Sequence, residues 1–534
     1  MRRALPRTLL LLILAAALAA ACSKPAEPPK TAAAPAKAAK AATVAWHDGD
    51  VDSAFARARA ENKPLFLYWG AVWCPPCNQV KSTIFNRADF VARSAFFVPV
   101  YLDGDTKDAQ KFGTRFRISG YPTMILFAPD GTELTRLPGE VDAQRYLDVL
   151  ALGLKGGTPV RQLLADAQAG KPLTADQWRL LAYFGWWDAE QAQLVAKGAL
   201  VPTLTKLAAA APVEAADSAL RLRLMALSFA ADKPAEHAGF AKDDTRAALQ
   251  SVLADPRRAR QFFEMVTLDA GEMTGFLTAA GSPERSALVA AWDKALVMLA
   301  QDATLSNGDR LGASIARVRL ARLDIDKKAP LPEALVKDVV AAAAWADANT
   351  PDKYERQAVI AGAAYLMSEA GQLDASDTLL KAELDRSIAG YYHMQSLGRN
   401  AKLRGDKAQA LGWYERAYKE SQGAATRVQW GGAYVGQLLE LTPEDAPRIE
   451  TAVVSVIREL APTPASFDGR NRSVLNRMGQ RLAAWNKDGK QTAVIKRVRA
   501  ELDGVCAKLP AEAPERGVCT GALNPKVEGK GRSA

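Results

Sequence analysis

The sequence predicts two architectures in one chain: an α/β layer domain with a central sheet flanked by helices, followed by a large all-α region read as an α-solenoid. Three observations predict this. Between about Ala45 and Leu154, helical and strand signals alternate in short blocks, as a layered α/β fold requires. Beyond Gly156-Gly157, β-branched runs become scarce, and Ala- and Leu-rich segments of helical period are interrupted by Gly, Pro or Asp. A length of 534 residues exceeds one ordinary core and implies several units.

Within the first block, a helix is predicted from Val51 to Glu61. It leads into the apolar run Pro64-Leu-Phe-Leu-Tyr-Trp69, which reads as a buried strand ending at Gly70. Trp73-Cys74-Pro75-Pro76-Cys77 follows at the head of a helix, and Asn86 with Asp89 marks another helix running through Phe90 and Val91. Phe96 to Leu102 is the second buried strand, and Lys107 to Phe112 a helical segment. Gly120-Tyr121-Pro122-Thr123 opens a strand through Phe127, Asp130-Gly131 is a hairpin turn, and Glu133 to Leu137 is the return strand. Asp142 to Leu154 is the closing helix.

In the second block, small and aromatic residues at Leu397-Gly398, Gly405, Ala410, Tyr414 and Ala417 resemble a tetratricopeptide helix pair. Gly371 lies one such period, about 34 residues, before Gly405. The proline that usually ends the second helix is missing after Ala417. Trp178, Leu181 and Phe184 fall at helical spacing, so the aromatic group they form with Tyr183, Trp186 and Trp187 is expected to pack between the two regions. The expected boundaries are 44–156 for the α/β domain, 157–525 for the helical region and 526–534 for a disordered tail.

Residues 1–21 read as an export signal, with Arg2, Arg3 and Arg7 ahead of an apolar stretch from Leu9 to Ala21 that ends in small residues. Leu18-Ala-Ala-Ala-Cys22 resembles a bacterial lipobox, although Leu18 stands four residues before the cysteine where the pattern favours three. The resemblance implies a lipidated Cys22 and, with Ser23 following it, an outer-membrane anchor facing the periplasm. The Ala/Pro/Lys stretch 22–43 has almost nothing to bury and is expected to be a solvated tether.

The formal charge is +10, but export and the absence of an aromatic-interleaved basic cluster argue against nucleic acid as a partner. The five cysteines divide into Cys22 and two candidate pairs, Cys74 with Cys77 and Cys506 with Cys519. The second pair encloses a short loop with two prolines and is expected to be a structural clasp. Closing such a loop is worth about 3 kcal/mol in the chain-entropy treatment.

A CxxC pair can be half of a metal site, a structural bridge or a redox pair. Zinc needs about two further Cys or His ligands, and the histidines, His47, His237 and His393, all lie far from the motif in sequence. No metal or cofactor is expected. A structural bridge would require neither the preceding strand, the following helix nor Trp73. The redox reading is therefore preferred.

The succession of strand, CxxC helix, strand, helix, proline-led hairpin and final helix resembles the thioredoxin fold over about a fifth of the chain. The Lys-Pro-Leu-Phe-Leu-Tyr lead-in is most similar to periplasmic thioredoxin-like domains. The resemblance implies that Pro122 is the cis-proline opposite the cysteines, and that Tyr121 and Trp73 border the groove for an extended substrate peptide. At a helix N-terminus the Cys74 sulfur is favoured as thiolate and nucleophile, with Cys77 as the resolving thiol. Pro75 and Pro76 lack N–H groups, so the Cys77 amide is the main donor left to that sulfur. With no histidine between the cysteines, a reducing or intermediate potential is favoured.

One departure stands out. Tyr68 occupies the position where many thioredoxins carry a buried aspartate. Asp103 and Asp105 are the nearest acids in sequence, but acids ending a strand are ordinarily solvated, and the proton acceptor is left unassigned. The sequence thus predicts a membrane-tethered periplasmic thiol-disulfide oxidoreductase acting on protein thiols or disulfides recruited by its helices, with an unidentified redox partner. The alternative is a helical envelope-binding protein whose thioredoxin-like module turns over little.

Overall fold

The four strands of the sheet run in the order β2-β1-β3-β4, with β1 (Leu65–Gly70), β2 (Val98–Asp103), β3 (Thr123–Phe127) and β4 (Glu133–Leu137). The computed structural model describes residues 43–523 apart from 107, 108, 119, 138, 140, 141, 156, 191, 327, 328, 461 and 462. The expected signal peptide, Cys22, the tether up to residue 42 and the tail at 526–534 lie outside the described residues.

β1 pairs parallel to β2, with Leu65 opposite Val98, and antiparallel to β3, with Trp69 opposite Thr123. Alternation sends its side chains to two different layers. Leu65, Leu67 and Trp69 pack with Val51, Ala54, Phe55 and Ala58 of α1 (Val51–Glu61). Phe66 and Tyr68 join the opposite layer with Phe85, Phe90 and Tyr146. Every residue of β1 is buried, which is why the strand reads as an unbroken apolar run.

Local chemistry sets the element ends. Asp50 caps α1 by accepting from the Ser53 amide at 2.7 Å, and Asn62 ends it in the left-handed region at φ 48°. Gly131, at φ 93°, closes the β3–β4 hairpin, where the Ala128 amide donates to Thr132 O at 2.8 Å. Asp142 caps α5 (Ala143–Leu154) through the amides of Gln144 and Arg145.

The helix after the cysteine motif, α2 (Pro75–Val80), runs on into a π-turn over Lys81–Phe85. Three boundaries differ from expectation. The next helix, α3, is Ala88–Arg93, so Asn86 ends the preceding turn and does not start a helix. Ser94–Phe96 is a 3₁₀ turn with Phe96 67% exposed, and β2 begins only at Val98, whose amide donates to Pro64 O at 2.8 Å. The helix after β2, α4, is Gln110–Arg115, and Lys107 lies outside the described residues.

Past residue 157 every regular element among the described residues is helical, ending with Pro514–Gly521. The helices Gly390–Leu403 and Lys407–Glu420 form a close pair. A Cβ at Gly398 would stand 2.8 Å from Tyr414 Cε2, so the ring occupies the space the glycine leaves. Gly405 lies between the two at φ 83°, as Gly371 does at φ 79° after helix Lys353–Glu369. Trp178, Tyr183, Phe184 and Trp186 are buried at the junction of the two regions. There the Gly185 amide donates to Arg136 O of β4 at 3.0 Å, and Arg136 Nη1 lies 3.8 Å from Asp188.

Candidate active site

Cys74 sits immediately before α2 in an extended conformation (φ −69°, ψ 114°), and its sulfur accepts the Cys77 amide at 3.2 Å. The Asn78 amide pairs with Cys74 O at 3.0 Å, while Asn78 Nδ2 donates to Val72 O at 2.7 Å and Cys74 O at 3.0 Å. Asn78, which the sequence reading passed over, thus ties the loop before the helix to its first turn. The sulfurs of Cys74 and Cys77 are bonded, with Cα atoms 5.2 Å apart. Cys506 and Cys519 are bonded likewise at a Cα separation of 5.7 Å, in a separate part of the helical region.

The Tyr121–Pro122 peptide is cis. Tyr121 meets Trp73 edge to face with centroids 5.9 Å apart and stacks on Trp69 at 5.7 Å. Its hydroxyl accepts from Gln110 Nε2 at 3.3 Å and occupies the space that a side chain at Gly104 would fill. The fold therefore brings Trp73, Cys74, Cys77, Tyr121 and Pro122 to one end of the sheet.

Tyr68 is fully buried in an aromatic layer, stacked on Tyr101 at 5.1 Å, and its hydroxyl donates to Cys77 O at 3.3 Å. Burial holds its phenol well above the ordinary range. Asp103 and Asp105 depart from the expectation of solvated acids. Burial raises the Asp103 carboxyl, partly offset by the Asp105 amide and the charge of Lys81. Asp105 is only 8% exposed, and burial pushes its carboxyl up to about 6 against hydrogen bonds from Thr426 and Trp73. Its Oδ1 has no hydrogen-bond partner among the described residues. The physical reason is that the helical region covers this strand end.

That covering is the main feature the sequence reading missed. The Trp73 indole N–H donates to Asp105 Oδ2 at 2.7 Å and to Thr426 Oγ1 at 2.9 Å. Trp430 meets the same indole edge to face at 4.5 Å, and Tyr392 stacks on it at 6.0 Å. The Arg470 guanidinium lies 4.6 Å from the Tyr121 ring centroid, and its amide donates to Gln110 Oε1 at 2.7 Å. On the other flank, Gln357 Nε2 donates to Trp73 O at 3.3 Å and Gln79 Nε2 to Asp309 Oδ1 at 3.0 Å. Nothing in the local sequence around these residues marks them. Their role comes from packing across hundreds of positions.

The thioredoxin-like domain family matches residues 51–153. Over 102 residues the chain is 29% identical to the thiol:disulfide interchange protein DsbD of Pseudomonas fluorescens, covering 18% of each chain. Over 97 residues it is 31% identical to thiol:disulfide interchange protein DsbD 1 of Pseudomonas aeruginosa, covering 17% of this chain and 16% of that one. The chain thus spans less than a fifth of the length of these relatives. Among solved structures, DsbH Oxidoreductase aligns over 21% of this chain and 88% of its own, at 17% identity and a TM-score of 0.20. No helix among the described residues is long and apolar enough to cross a membrane.

Proposed function

We propose that the chain is a thiol-disulfide oxidoreductase in which Cys74 is the nucleophile and Cys77 the resolving thiol. The observation that carries this reading is the placement of Cys74 Sγ at the start of α2, accepting the Cys77 amide and bonded to the Cys77 sulfur. A thiolate there is favoured by the helix N-terminus. In the reducing direction the Cys74 thiolate attacks a substrate disulfide, forming a mixed disulfide and releasing one substrate thiolate, which takes up a proton. Cys77, deprotonated, then attacks Cys74 Sγ. This releases the second substrate thiol and leaves the Cys74–Cys77 disulfide, so two electrons have passed to substrate. A dithiol partner resets the pair.

Trp73, Tyr121 and the cis Pro122 form the peptide groove in this reading, and the similarity to thiol:disulfide interchange proteins supports it. The signal-like residues 1–21, a lipidated Cys22 and the tether to residue 43 place the enzyme in the periplasm on a membrane, with residues 44–156 as catalytic domain. Residues 157–525 form a tetratricopeptide-like helical domain that positions protein substrates, and Cys506–Cys519 is a structural bridge within it. No cofactor takes part.

The test is insulin reduction by the purified chain with dithiothreitol as donor, compared with Cys74→Ser. Acceleration absent from the Cys74→Ser chain supports the reading, and equal rates overturn it. Cys77→Ala should also accumulate mixed disulfides through Cys74 that the additional Cys74→Ser change abolishes.

A further inference from the structure

Cys74 is 3% exposed and Cys77 0%, while their neighbours Val72 and Pro76 are exposed. Burial thus falls on Trp73 and both cysteines, while Pro76 between the cysteines stays exposed. Exchange requires a substrate sulfur to reach the attacked sulfur, and an extended peptide needs the backbone beside Pro122. Both approaches are bordered by Trp73 and Tyr121, on which Tyr392, Trp430 and Arg470 rest.

The contact is built for close approach at two points. Gly423, at φ 93°, lies so near that a Cβ would stand 2.9 Å from Asp105 Cβ. Gly469, at φ 50°, would place a Cβ 2.6 Å from Gln110 Oε1. Any other residue would meet both a left-handed backbone and a neighbour with no room. Around these points the pairing is polar and aromatic: Thr426 with Trp73, Arg470 with Gln110, and Thr114 Oγ1 with Asp468 Oδ1 at 3.1 Å. Two further attachments lie apart from these points: Gln357 and Asp309 bond Trp73 O and Gln79 on the other flank, and Trp178, Phe184 and Trp186 are buried near β4 in a largely apolar junction.

We propose that the helices carrying Tyr392, Thr426, Trp430 and Arg470 are a cover closing the redox site, and that protein substrates reach Cys74 only when this cover lifts from Trp73, Asp105 and Tyr121. The junction beside β4 holds the two regions together while it does so. This rests on the oxidoreductase reading and adds its regulation: the helical region competes with substrate for the groove.

The experiment uses the full chain with Cys22→Ser and Cys77→Ala, the Cys506–Cys519 bond kept oxidised, so that Cys74 is the thiol labelled. The probe is a polyethylene-glycol maleimide, and the urea-unfolded chain gives the open limit. Arg470→Ala and Gly423→Ala are each expected to label about fivefold faster or more than the parent, which labels far below the open limit. Far-UV circular dichroism checks the fold. Should Gly423→Ala unfold, Arg470→Ala, a change at a partly exposed side chain, carries the test. A parent rate equal to the open limit, or folded variants labelling at the parent rate, overturns the cover. Insulin reduction by the same variants with Cys74 and Cys77 intact separates the two readings. Faster labelling with no insulin reduction by any chain supports the cover and removes the oxidoreductase. Insulin reduction with labelling unchanged does the reverse.

Discussion

The indole N–H of Trp73 donates to Thr426 Oγ1 at 2.9 Å, linking the residue before Cys74 to a side chain 353 positions away. The same N–H is shared with Asp105 Oδ2 at 2.7 Å, a three-centre arrangement that only the docked helical region completes. Thr426→Val keeps the side-chain shape and removes the hydroxyl. The hydroxyl both accepts from Trp73 and donates to Asp105, so its expected cost to docking is about 2 kcal/mol, at about 1 kcal/mol for each bond. The measurement is alkylation of reduced Cys74 by iodoacetamide, which should accelerate about thirtyfold, while Thr426→Ser keeps the parent rate.

Asp105 should make docking sensitive to pH. Burial under the cover pushes its carboxyl up to about 6, from an ordinary 3.8. The groups facing it are Thr426, Trp73, Asp103, Arg470, Tyr121, Tyr101 and Tyr391. The docked form binds the proton more tightly than the open form. Protonation therefore favours docking fully below the ordinary value, and this contribution is lost as pH rises through about 6. A carboxyl raised from 3.8 to about 6 favours docking by about 3 kcal/mol when fully protonated. The alkylation rate of Cys74, corrected for its thiolate fraction, should be about tenfold or more higher near pH ~7.5 than near pH ~5. Asp105→Asn should remove this difference and hold the slow rate at both.

Much of the α/β domain was legible because its determinants are local. Asp50, Asn62 and Asp130-Gly131 fix the ends of α1 and the hairpin by contacts within a few residues, and α1 and β4 fall where the sequence placed them. Phe96 misled because an apolar residue before Val98 reads as strand, whereas it lies exposed in a 3₁₀ turn. The site was legible only in part. The cysteines, Trp73, Tyr121 and Pro122 carry a motif, but Thr426, Gln357 and Arg470 are ordinary polar residues on helices. Which helix packs over α2 is tertiary information that no local pattern contains. The same omission made Asp105 read as a solvated strand end.

The Cys506–Cys519 bridge joins helix Thr492–Cys506 to helix Pro514–Gly521, and both cysteines are buried. It is bonded separately from the Cys74–Cys77 pair. Replacing both by Ala should lower stability to urea by about 3 kcal/mol, the chain-entropy value for a loop of this size. Insulin reduction in the absence of urea should stay at the parent rate. A change in that rate without a change in stability would assign the pair to electron transfer.

Tyr68 tests whether this site needs an acid behind Cys77. Its ring packs edge-on to Phe85 at 4.9 Å and stacks on Tyr101, so the position is filled by aromatic volume. Its hydroxyl spends its proton on Cys77 O and, held well above the ordinary phenol range, does not ionise at neutral pH. Tyr68→Phe loses one hydrogen bond of 3.3 Å and should cost about 1 kcal/mol or less. The pH profile of the Cys77 attack, followed as release of a mixed disulfide from Cys74, should be unchanged. Tyr68→Asp instead opens a cavity and buries a carboxyl among rings. It should destabilise the chain by about 3–5 kcal/mol in urea unfolding and not improve turnover. Faster resolution in Tyr68→Asp would mean that the aromatic layer had displaced a useful base. An unchanged profile in Tyr68→Phe would place the proton acceptor elsewhere, with Asp105 and water next to be tested.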